Sequence, residues 1–109
     1  AIGIKRTLQM TLLGDRYTAQ QMADMGLVNF VVPNADLDGE CDKLAARLAH
    51  GPTHVYGMGK KLMYRSLENE FESQLQMEAE CFADCAKRND YREGVAAFVE
   101  KRKPNFTGT

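Results

Sequence analysis

One short stretch limits what this chain can fold into. In Leu27-Val28-Asn29-Phe30-Val31-Val32-Pro33, the β-branched and aromatic run Phe30-Val31-Val32 reads as a strand closed by Pro33. A strand needs a neighbour, because its backbone N–H and C=O groups are costly to bury without a ladder. The rest of the 109 residues is patterned as helix or turn and offers no partner. The pairing strand is therefore expected in sequence upstream of Ala1 or in another chain. On these grounds the chain reads as part of a larger protein.

Around that strand the spacing is helical. Ile4, Leu8 and Leu12 recur at helical intervals up to Gly14. Thr18 with Gln21 makes a capping box, followed by an apolar face of Ala19, Met22, Ala23 and Met25 and a left-handed cap at Gly26. Past the strand, Asp36 is placed to cap a helix striped by Leu37, Cys41, Leu44 and Leu48, which ends at Ala49-His50-Gly51. Pro52 opens the next helix, at the position where its missing N–H costs least. Val55, Met58, Leu62 and Met63 are expected inward, with Lys60, Lys61 and Arg65 where the macrodipole favours cations. Gly57 and Gly59 each cost this helix about 1 kcal/mol relative to Ala, which marks either close backbone packing or flexibility.

The longest helix is expected from Phe71 to Arg88. Phe71, Leu75, Ala79, Phe82 and Ala86 form its stripe, widened on one side by Met77, Cys81 and Cys85. So wide an arc suggests burial against two neighbours, such as a domain and a subunit. Asn89 breaks the pattern, and Asp90 with Glu93 reads as a capping box for a last helix striped by Tyr91, Val95, Phe98 and Val99. It runs into Lys101-Arg102-Lys103 and stops at Pro104. The fold class is mainly α, with one short strand near the N-terminus.

Charge and cysteine content exclude several roles. A formal net charge of −1 gives no global field for nucleic acid or an anionic membrane, so any basic site must be local. No apolar run reaches the length of a membrane span, and residue 1 does not open a secretion signal. Three cysteines, an odd number, read as reduced thiols in a cytosol-like compartment, and a cytoplasmic location is expected.

The chemistry-bearing residues are few. His50 and His54 are four apart, but Pro52 between them spoils a shared helix face, and Cys81 with Cys85 supplies only two ligands. No metal site is expected, and the two buried-face cysteines read as small core residues. Glu68 with Glu70, and Glu78 with Glu80, are two apart and point in different directions, so neither is an acid/base pair. The basic tail is different. Phe98 lies one turn before Lys101, and an aromatic face beside an ammonium could grip a nucleotide through base stacking and phosphate charge. The bland reading of Lys101, Arg102 and Lys103 is a solvated complement to the helix dipole.

Three blocks taken together tilt that choice. LLGDRYTAQQMADMGLVNFVVP, AARLAHGPTHVYGMGKKLM and YREGVAAFVEKRKPNFTG, in this order and spacing, resemble the C-terminal part of the enoyl-CoA hydratase/isomerase (crotonase) superfamily. The resemblance covers essentially all 109 residues. It implies the helical trimerisation region of a crotonase-like α/β spiral, with residues 1–33 as the tail of the spiral core and 34–109 as the helical oligomerisation domain. It also implies a parent enzyme, a hydratase or isomerase, that holds an acyl-CoA carbonyl in an oxyanion hole and stabilises an enolate. The acids and oxyanion-hole peptides of that chemistry belong to family motifs before Ala1, so no catalytic residue is assigned and the chain alone is expected to be inactive.

From the family motif, Phe98 and Lys101 are carried over as substrate-binding residues at the CoA adenine and ribose phosphate, commonly of a neighbouring subunit. The implied partner is an acyl-CoA thioester in a homotrimer or hexamer, with no cofactor beyond the CoA of the substrate, no nucleic acid and no membrane. The alternative is a non-catalytic crotonase-like scaffold for protein association.

Overall fold

A computed structural model describes residues 1–109, and they form six helices and no strand. The chain divides into two compact units, residues 1–40 and 41–109. No helix is long and apolar enough to cross a membrane.

The first unit carries α1 (Gly3–Leu13) and α2 (Ala19–Asp24). α1 ends at Gly14, whose φ of 64° is the left-handed conformation that glycine adopts without a Cβ penalty. The Thr18–Gln21 capping box is complete: the Gln21 N–H donates to Thr18 Oγ1 at 3.2 Å, and the Thr18 N–H donates to Gln21 Oε1 at 2.8 Å. Beyond Asp24, the Gly26 N–H donates to Ala23 O and the Leu27 N–H to Met22 O, each at 2.9 Å. These are the paired bonds of a Schellman motif, with Gly26 left-handed at φ 81°. Arg6 Nη1 donates to Met25 O at 3.1 Å and ties the two helices.

Residues 30–32 do not form the expected strand. A strand exists through its ladder, and no segment among the 109 residues supplies one. Phe30 stays exposed, as do Ile4, Leu8 and Leu12 along the α1 stripe. Asp36 does not cap the following helix. It sits inside a single 3-10 turn, Asn34–Asp36, that runs straight into α3 (Leu37–Ala49), so its backbone is already helical where a cap would be extended.

In the second unit, α4 (Thr53–Arg65) and α5 (Phe71–Ala86) form a helical hairpin. Pro52 stands one residue earlier than expected, as the N-cap, and its carbonyl accepts the Tyr56 N–H at 3.1 Å. Two polar links fasten the pair. His54 Nε2 meets Asp84 Oδ2 at 2.6 Å, and Gln74 Nε2 donates to Leu62 O at 3.3 Å. Of the apolar residues expected inward on α4, Met58 and Leu62 are half-buried but Met63 is exposed.

The wide arc of α5 is divided. Its Cys81–Cys85 edge is buried, whereas Phe71, Leu75 and Phe82 face solvent. Buried apolar side chains in the whole chain are limited to Cys81, Cys85 and Ala97. A chain with 44% apolar residues and so small a core leaves most of its apolar faces without a partner of its own.

Candidate functional site

The site is built on α6 (Asn89–Val99) and the tail that follows it. α6 starts one residue before Asp90, with Arg88 as an extended N-cap, so the expected Asp90–Glu93 capping box does not form. Both carboxylates serve the tail instead. Asp90 is only 4% exposed. Its Oδ1 accepts the Thr107 N–H and its Oδ2 the Gly108 N–H, both at 2.8 Å, while its own N–H donates to Thr109 O at 2.8 Å. With α6 starting at Asn89, the Glu93 N–H is already past the first four residues of the helix and needs no cap, which leaves the Asp90 carboxylate for the two tail amides.

Glu93, one turn on, takes Arg102 in a two-pronged pair. Arg102 Nη1 donates to Oε1 at 2.6 Å and Nη2 to Oε2 at 2.9 Å, and the Asn105 N–H adds a third bond to Oε1 at 2.7 Å. The inward face of α6 is therefore Asp90, Glu93, Gly94 and Ala97, spaced i, i+3, i+4, i+7, with Phe106 of the tail lying beside Gly94. The expected stripe of Tyr91, Val95, Phe98 and Val99 is on the outside. The inward periodicity is carried by acidic and small residues rather than by an apolar stripe. Tyr91 packs edge-on against Phe82 of α5, with ring centroids 6.2 Å apart.

The charges of this face have a direction. The Arg102 guanidinium, and next the Asn105 amide, hold the Glu93 carboxyl down to about 2 from an ordinary 4.5. His54, and then Arg88, hold Asp84 below the usual carboxylate range. A carboxyl depressed on folding contributes stability above its unfolded value and loses it as pH falls through the folded one. Stability is thus expected to decline from about pH 4.5 towards pH 2, and Glu93→Gln is expected to flatten part of that slope. An unchanged acid limb of the melting temperature in Glu93→Gln would count against the pair.

Phe98 and Lys101 occupy the turn where α6 ends. Phe98 is 85% exposed. The expectation that Lys101 lies one helical turn beyond Phe98 on the same face does not hold, because α6 stops at Val99 and Lys101 takes a left-handed backbone, φ 55°. Its N–H donates to Phe98 O at 3.3 Å, and the Arg102 N–H donates to Ala97 O at 3.0 Å, so a second Schellman motif closes around a lysine. Next to this turn is an almost wholly apolar groove of about 350 Å³, walled by Pro52, Val55, Tyr91, Val95, Phe98 and Phe106. The two histidines go separate ways: His50 Nδ1 bonds Ala46 O at 2.7 Å, and His54 bonds Asp84.

The sequence matches the enoyl-CoA hydratase/isomerase family model over residues 1–109. The chain belongs to the enoyl-CoA hydratase/isomerase family. It is 37% identical over 107 residues to a Rhodobacter capsulatus protein named "Probable enoyl-CoA hydratase", covering 98% of this chain and 42% of that one. It is 35% identical to the 1,2-epoxyphenylacetyl-CoA isomerase of Escherichia coli K12, covering 97% of this chain and 40% of the relative. The fold agrees with that of a solved enoyl-CoA hydratase subunit from Geobacillus kaustophilus, with a TM-score of 0.92 at 35% identity, over 99% of this chain and 42% of that one. This family member spans about two fifths of the length of the relatives it matches. Its helices are those of the helical C-terminal region of the crotonase-type fold.

Proposed function

We propose that these residues are the C-terminal segment of an acyl-CoA hydratase or isomerase, supplying oligomer contacts and the distal end of the CoA site. The observation that carries the CoA part is the α6 end: an aromatic ring left 85% exposed beside a lysine held in a left-handed turn. A ring free on its face can stack on a base, and an ammonium on a fixed backbone is a point charge for phosphate. Phe98 takes the adenine and Lys101 the ribose phosphate. The reacting thioester lies elsewhere, in the oxyanion hole and acid groups of the longer protein. The oligomer part is supported by the exposed Phe71, Leu75 and Phe82 on α5, an apolar face with no partner in this chain.

In the full-length protein, Lys101→Ala is expected to raise the Kd of a CoA ester about fivefold, most visibly at low salt, with little change in kcat. The discriminating pair of ligands is CoA and dephospho-CoA, measured by calorimetry. Equal affinity of the unaltered protein for both would remove the phosphate from the Lys101 site.

A further inference from the structure

Lys101 is the one non-glycine residue of the chain with positive φ. The equivalent helix ends at residues 14 and 26 are closed by glycine. A Cβ disfavours the left-handed conformation, so a lysine persists there only where its surroundings over-determine the turn.

Those surroundings are specific, and they centre on Arg102. Its Nε donates to Glu100 Oε2 at 2.6 Å, which closes a side-chain link across Lys101 itself. Its two terminal nitrogens are on the two oxygens of Glu93, and Nη1 also donates to Lys103 O at 3.3 Å. Glu93 sits on the inward face of α6 and also holds the Asn105 N–H. The residues on both sides of Lys101 are thus fixed to the helix body. Of the three consecutive cations, Arg102 is consumed internally, and the ammonium of Lys101 takes no partner from this chain.

We propose that Glu93, acting through Arg102, is a positioning residue that sets the left-handed turn of Lys101 and so aims its ammonium at a phosphate. This rests on the reading of Lys101 as the phosphate contact and extends it to two residues that do not touch the ligand. Fork geometry is essential: a lysine at position 102 keeps the charge but cannot span both oxygens of Glu93 and reach Glu100 together.

The test is a cycle of variants in the full-length protein, with Kd measured for CoA and for dephospho-CoA. Glu93→Gln and Arg102→Lys are each expected to weaken CoA about fivefold and to leave dephospho-CoA unchanged, as Lys101→Ala does. The double variant Glu93→Gln/Lys101→Ala is expected to bind no worse than Lys101→Ala alone, because both changes remove one contact. Lys101→Gly is expected to raise the melting temperature, since it relieves the strained turn.

The proposal is overturned if the two effects multiply, if both ligands weaken equally, or if Glu93→Gln and Arg102→Lys leave CoA affinity intact while Lys101→Ala lowers it. In that last case the phosphate contact stands and only the positioning role is lost. If Lys101→Ala itself has no effect, the phosphate reading fails first and takes the positioning role with it.

Discussion

The 109-residue chain purified alone is expected to hydrate crotonyl-CoA no faster than buffer. Three carboxylates are already committed within the fold: Asp90 and Glu93 hold the tail, and Asp84 holds His54. Hydration needs an acid or base within hydrogen-bond reach of a bound thioester, and the oxyanion hole proposed to hold one belongs to the longer protein. The measurement is loss of enoyl absorbance with the chain in excess, beside the full-length protein as positive control. Turnover by the chain alone would overturn the assignment of its chemistry to upstream residues. The same sample, sized by light scattering, is expected to be larger than a monomer, because the α5 face and the α1 stripe are apolar and uncovered. A monodisperse monomer would remove the oligomer role proposed for α5.

The second large effect is at Asp90. Asp90→Ala leaves the amides of Thr107 and Gly108 without their acceptor and opens a space under the tail. Hydrogen bonds to a charged, buried group are worth more than neutral ones, so the loss is expected to be about 2–3 kcal/mol. Asp90→Asn is expected to fall between, since one of its two side-chain atoms becomes a donor facing a donor. Amide exchange is the direct readout, with the 107 and 108 amides losing protection ahead of those in α5. If both amides stay protected in Asp90→Ala, the tail is held by something other than this carboxylate.

The two carboxylates also show why part of the site could not be read from the chain. At Asp90 and Glu93 the sequence presents a capping box, and the spacing was correct for one. The competition was decided by residues 102 to 108, which fold back and offer backbone N–H groups and a guanidinium to the same oxygens. Nothing in the three-residue spacing announces a partner nine to eighteen positions away. The same holds for the turn at Lys101. A run of three cations after a helix looks uniform, and only the folded tail distinguishes Arg102, bound on two sides, from Lys101.

By itself the sequence determined the features that close within one turn of chain. The Thr18–Gln21 box, the glycine stops at 14 and 26, the six helices and the family membership over 109 residues all follow from local bonding and residue order. Tertiary structure decided what depends on a partner far along the chain: which face of α6 turns inward, which groups Asp90 and Glu93 bind, and that Lys101 stands in a left-handed turn. The reason is range. A helix satisfies its own backbone within four residues, whereas a strand, a buried carboxylate and a strained lysine each need a group that only the fold brings near.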